Sequence, residues 1–261
     1  MSRKRFYTTQ LQAGLALIEE TRLLLGLYES GMTSVQLSEK ALNSGQFPLV
    51  SARRLRNIVI ECFAPRYMRA PGTAWALKLL ANGLTRQEFS QLLLLYTARA
   101  NLVLDEFIRE FYWPRYSAGR DSITLDDARE FVLTAVREGK TQKPWSDITI
   151  QRISSYLVSS CADFGLLSDN VRGPRRLLPF RIQPKVAAYL AYDLKFQGLG
   201  DNQILGHCDW QLFGLEREDT RDQLKRLSLQ GFLIMQSAAD ITQISWAYKH
   251  MDEVIDVLTQ G

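Results

Sequence analysis

The sequence predicts a mostly helical chain of two domains, a helical bundle followed by a small α+β domain. Three observations carry this expectation. Helix-start signals followed by apolar residues at helical spacing recur through the first two thirds, a Gly/Pro/Arg-rich stretch then interrupts them, and two short runs rich in β-formers close the chain. At 261 residues there is enough chain for two cores without disulfides or metals, and 46% hydrophobic with 23% charged residues is a globular composition.

Taken in order, the first element is an amphipathic helix expected over about Thr9 to Glu29, with Leu11, Leu15, Ile18 and Leu25 on one face and Gly31 marking its end. A shorter helix runs from Ser34 to Leu42. Ser51 caps another that carries Leu55, Ile58, Val59 and Cys62 inward and that Pro65 is expected to terminate. Thr85-Arg86-Gln87-Glu88 matches a capping box, in which hydroxyl and carboxylate each take a free N–H, and it opens a core helix from Phe89 to Phe111, ending before Pro114. Thr124 and Ser146 start two more, the second ending at Gly165.

This assigns residues 1–168 to the helical bundle, 169–183 to a basic Pro/Gly/Arg linker and 184–261 to the second domain. There, helices are expected from Pro184 to Phe196, after Asp201, and from Thr220 to Leu229. Phe232 to Gln236 and Ile241 to Trp246 flank a turn as two strands, and Met251 to Leu258 returns to helix. Helices followed by a hairpin predict a winged-helix-like α+β domain.

The net charge of +4 conceals a polarity. Residues 1–70 carry +5, 71–170 carry −1, 171–200 carry +5 and 201–261 carry −5. A winged-helix recognition helix beginning Glu216-Arg217-Glu218-Asp219 is unsuited to phosphate, which repels carboxylates. The basic segments instead supply the candidate nucleic-acid contacts: Arg3, Lys4, Arg5, Arg53, Arg54, Arg56, Arg66, Arg69, Arg172, Arg175, Arg176, Arg181 and Lys185. Arginine suits bidentate phosphate contact. The plain alternative is a set of solvated surface charges with no partner.

Several function classes lose their usual signals. There is no Gly-rich phosphate loop, no Gly-x-Gly-x-x-Gly after a strand and no His-Glu-x-x-His helix, so no catalytic residue, metal, cofactor or small-molecule substrate is expected. Cys62, Cys161 and Cys208 have no paired spacing and are expected to be reduced and buried. His207-Cys208-Asp209 groups ligand-type side chains, but a loop with a buried cysteine is the favoured reading. Phe107, Phe111, Tyr112, Trp113 and Tyr116 interleave with Arg109 and Arg115 and read as helix-end packing ahead of a base-stacking platform. No apolar run spans a bilayer and the N-terminus lacks a signal-peptide pattern, so a cytoplasmic location without membrane contact is expected.

Leu15 to Leu27 (LALIEETRLLLGL), Arg53 to Ile58 (RRLRNI), the helix from Phe89 to Phe111 and the tail from Asp209 to Tyr248 together resemble the BrxA family of BREX phage-defence systems. Asp209 to Leu215 (DWQLFGL) and Ile244 to Lys249 (ISWAYK) look like that family's closing segment. The resemblance implies a small cytoplasmic DNA-binding protein without a catalytic motif, encoded beside a methyltransferase, a phosphatase-like protein and ATPases. It also implies a NusB-like helical N-terminal fold, with double-stranded DNA and other BREX proteins as partners. Two alternatives stay open: an assembly adaptor docking a protein through the acidic domain, and an RNA-binding NusB-like factor.

Overall fold

The computed structural model describes residues 5–170, 173–238 and 241–260. The chain is mostly helical with two small antiparallel sheets, and it divides into two compact units, Met1–Lys78 with Leu93–Phe180, and Leu79–Leu92 with Arg181–Gly261.

The expected first helix is two pieces. A 3-10 turn, Gln10–Ala13, is followed by extended Gly14 and left-handed Leu17 (φ 48°) before α1, Ile18–Leu27. Two local causes account for the break. A Cβ on Gly14 would lie 2.3 Å from Leu17 Cδ1 and 2.7 Å from Cys62 Sγ, so any larger residue there would force those side chains to shift. The Gly14 and Leu15 carbonyls, freed from helical bonding, accept the Arg66 guanidinium at 2.6 and 2.8 Å. Thr33 then caps α2 (Ser34–Asn43) with a complete box to Gln36, and Ser51 caps α3 (Ala52–Asn57).

Pro65 does not end the helix that α3 begins. The winding relaxes to π over Ile58–Met68 and carries Pro65 inside. In an α-helix a proline ring collides with the carbonyl four residues back, and the wider π turn moves that carbonyl away. The same device recurs where the long core helix was expected to stop. After α4 (Thr73–Gly83) and α5 (Arg86–Ala100) come α6 (Leu102–Glu106), a π segment Phe107–Tyr112, and α7 (Trp113–Ser117), which holds Pro114 in its first turn. The Phe107, Phe111 and Phe131 rings meet at 4.9–5.4 Å, and Tyr112 donates its hydroxyl to the Leu166 and Leu178 carbonyls.

α8 (Leu125–Arg137), boxed by Thr124 and Asp127, packs on α9 (Asp147–Asp163), which Ser146 caps. Within the stretch expected as a linker, β2 (Arg175–Arg176) pairs antiparallel with β1 (Ser122–Ile123), a strand pair with no sequence signal.

In the second unit α10 (Pro184–Phe196) is the buried centre, with every residue from Val186 to Tyr192 in the core. The Gln91 amide seats its start, donating to the Arg181 carbonyl (2.8 Å) and accepting from Gln183 N–H (2.9 Å). α11 (Asp201–Leu205) and α12 (Arg217–Leu229) lead to the hairpin β3 (Leu233–Ala238) and β4 (Ile241–Trp246), in register from Leu233 opposite Trp246 to Ala238 opposite Ile241. α13 (Met251–Thr259) follows. Tyr192 ties these together: its hydroxyl donates to the Phe232 carbonyl and accepts from the N–H of Ala247.

Candidate nucleic-acid interface

The Ser51 hydroxyl accepts the Arg54 N–H at 3.3 Å and fixes the first turn of α3. Leu55 and Ile58 then turn inward, which leaves Arg53, Arg54 and Arg56 exposed together at the start of a helical run that continues to Met68. A helix start carries partial positive charge, so each cation placed there costs about 0.3–1 kcal/mol when exposed. The macrodipole and three guanidinium groups favour an anion at this point.

A second basic group lies where the N-terminal segment is fixed to the loop after α8. Tyr7 N–H donates to the Lys140 carbonyl at 2.8 Å, and Tyr7 pairs with Thr141 as a parallel bridge. The Tyr7 hydroxyl and Lys140 Nζ both reach Glu106 Oε2 at 2.6 Å. Burial, then Glu106, pushes the Tyr7 phenol far above its usual range, so it stays a donor. Burial alone would lower the Lys140 ammonium, but its bond and charge interaction with Glu106 outweigh that and raise it. The cleft beside this seam, about 550 Å³, is lined by Arg5, Arg69 and Lys143 with Phe6, Tyr7 and Trp145. Arg5 also donates to the Arg99 carbonyl at the end of α5 (2.8 Å).

One candidate residue is corrected by its surroundings, and a second is partly engaged. Arg66 is 6% exposed and holds the Gly14 and Leu15 carbonyls, and Lys185 donates to the Leu258 carbonyl at the end of α13 (2.7 Å). Arg66 is structural, buried while satisfying two backbone carbonyls, whereas Lys185 is half-buried and spends one donor on a helix end. Arg175 is half-buried and Arg176 exposed, and as strand neighbours they face opposite sides. Arg181 is exposed in the second unit. Arg3, Lys4 and Arg172 lie outside the described residues.

The model of the BrxA family matches residues 5–193. The chain belongs to the BrxA family. Membership implies a component of a BREX phage-defence system. The match ends within α10, so the tail from Asp209 to Tyr248 falls outside it. A crystal structure of an uncharacterized protein from Magnetospirillum magneticum is similar in fold, with a TM-score of 0.60 at 15% identity, over 73% of this chain and 94% of that one. No curated protein matches this BrxA-family chain.

Phe107, Phe111 and Tyr112 of the aromatic run are buried, as packing predicts, while Trp113 is half-buried and Tyr116 exposed, and Arg109 pairs with Asp105 four residues earlier. The His207 turn differs from expectation, because Cys208 is exposed while Cys62 and Cys161 are buried. Ligand-type atoms of His207, Cys208 and Asp209 lie within 4.8 Å of one another, but His207 Nδ1 accepts the Asp209 N–H. Trp210, donating to the Ile204 carbonyl at 2.8 Å, anchors the turn from below. Sequence reasoning missed Lys143 and Trp145, whose only signal is a Lys-Pro-Trp tripeptide between two helices. Among the described residues, no helix is long and apolar enough to cross a membrane.

Proposed function

We propose that the chain is a non-catalytic DNA-binding component of a BREX phage-defence system, holding double-stranded DNA mainly by phosphate contact. The observation that carries this is the exposed Arg53, Arg54 and Arg56 group, set against the helix macrodipole at the start of α3. Arg5, Arg69 and Arg176 extend the basic set. Such contacts position a duplex without reading its bases, so affinity depends on salt far more than on sequence. The reading includes a NusB-like N-terminal bundle and, from the order α10, α11, α12 and hairpin, a winged-helix C-terminal part in a cytoplasmic protein.

The test is duplex affinity across a salt series. The wild type is expected to lose affinity linearly on a log–log plot. Changing Arg53, Arg54 and Arg56 to glutamate should flatten the slope by about 0.9 for every phosphate that is no longer neutralised. A salt-independent affinity, or an unchanged slope in the variant, would overturn the reading. One observation favours a second role for the C-terminal unit: Leu229 (90% exposed), at the end of α12, and Ile234 (60%), on β3, expose apolar surface in the unit whose α12 also exposes carboxylates, which suits docking a protein.

A further inference from the structure

We propose that the cleft between residues 5–10 and 142–145 is a nucleotide site that takes a phosphate together with one unstacked base of a DNA strand. It deepens the phosphate-binding reading, because Arg5 and Arg69 belong to that basic set, but it assigns these two residues a different ligand geometry from α3.

Charge is the first argument. Among the described residues, Arg5, Arg69 and Lys143 line the cleft, and no carboxylate does. Three cations in a wall without an acid repel one another across a concave surface, and a phosphate relieves that repulsion. Glu106, close behind the wall, is already held by Tyr7 and Lys140, facing the seam.

Shape and surface chemistry are the second. The volume of about 550 Å³ falls within the range of small-ligand pockets and is room enough for one nucleotide. Half-buried Phe6 and Trp145 supply aromatic surface beside the cations. Trp145 is braced by Tyr7, with ring centres 6.5 Å apart and planes at 39°, and Tyr7 is itself fixed through its backbone and hydroxyl. A braced ring stacks a base at low cost in order, and the exposed Gln10 and Gln142 amides offer donors and acceptors to a base edge. α3 instead presents its cations at an exposed helix start, which suits the convex backbone of a duplex.

The experiment is fluorescence anisotropy at one salt concentration with a blunt duplex, the same duplex bearing a short single-stranded thymine overhang, and thymidine monophosphate as competitor. Wild type should prefer the overhang probe about tenfold, the scale of one stacked base. W145A and the exposed-site variant K143A should each bring the ratio close to one while changing blunt-duplex affinity less than threefold. The R53E/R54E/R56E variant should weaken both probes and keep their ratio. Displacement of the overhang by the monophosphate assigns the site to any nucleotide, and an intact preference without displacement assigns it to a strand-borne one; either supports the proposal. Equal wild-type affinity for the two probes would overturn it, as would a preference that survives in K143A and in folded W145A. Overhang binding without blunt-duplex binding would sink the duplex reading and leave the cleft standing.

Discussion

Arg53 and Arg66 are thirteen positions apart, equally basic in sequence and opposite in role. Arg66 is buried with two backbone carbonyls as its partners, so R66A leaves both without a donor and should cost about 2–4 kcal/mol in urea unfolding. R53A, at an exposed site, should stay within about 0.5 kcal/mol while weakening DNA binding. An R66A protein of wild-type stability would refute the structural assignment. Charge counting could not separate the two, because what distinguishes them is the break at Gly14, a tertiary event that hands carbonyls to a side chain 52 residues on. Asp127 adds a pH-dependent case. Burial would raise its carboxyl, but the Thr124 hydroxyl and N–H bonds, with Arg115, outweigh that and hold it below the ordinary range. A depressed folded pKa stabilises above the unfolded value and loses that stabilisation as pH falls through the folded one. D127A should therefore cost about 1 kcal/mol at pH 7. The gap to wild type, followed by thermal melting, should narrow as the solution is acidified below the usual carboxylate range.

At the scale of elements, α3 sets stability against binding. Ser51 already caps it, and Arg54 stands three residues on, where glutamate would complete a capping box. R53E/R54E also reverses two charges at the positive end of the helix. The double variant should gain about 0.5–1 kcal/mol in thermal or urea unfolding while losing duplex affinity. A loss in both would mean that the arginines support the fold. Caps of this kind were the most legible feature of the sequence: Ser51, Thr85, Thr124 and Ser146 act within three residues, and each starts a helix. Prolines misled, since Pro65 and Pro114 read locally as stops and the π turns that accommodate them have no sequence signature. α4 had no strong start signal, following Gly72 and bounded by Pro71-Gly72 and Asn82-Gly83. The cleft was legible only in part: Arg5 and Arg69 stand out by charge, but their meeting with Lys143 depends on Tyr7 pairing with Thr141, 134 residues apart in sequence.

For the whole molecule, the question is whether DNA responds to the net charge of +4 or to where the cations lie. Residues 201–261 carry −5, and Glu218 and Asp222 are exposed on one face of α12. Each forms an ion pair on its own helix, with Arg221 and Lys225, so the field they send outward is already reduced. At physiological ionic strength the Debye length is about 8 Å, so an exposed charge acts on a duplex only at short range. Counterion release, by contrast, counts only cations that meet phosphate. E218K/D222K should therefore leave the log–log salt slope unchanged and shift duplex affinity by less than about threefold near 150 mM salt. Combined with R53E/R54E/R56E it should fail to restore binding, although it returns most of the charge that the arginine changes remove. Restoration would show that the duplex reads net charge, and the assignment of contact to α3 would fall with it. If the pair instead abolishes co-purification with another BREX protein while the salt slope holds, the two ends of the chain divide the work, the basic end for phosphate and the acidic end for a protein.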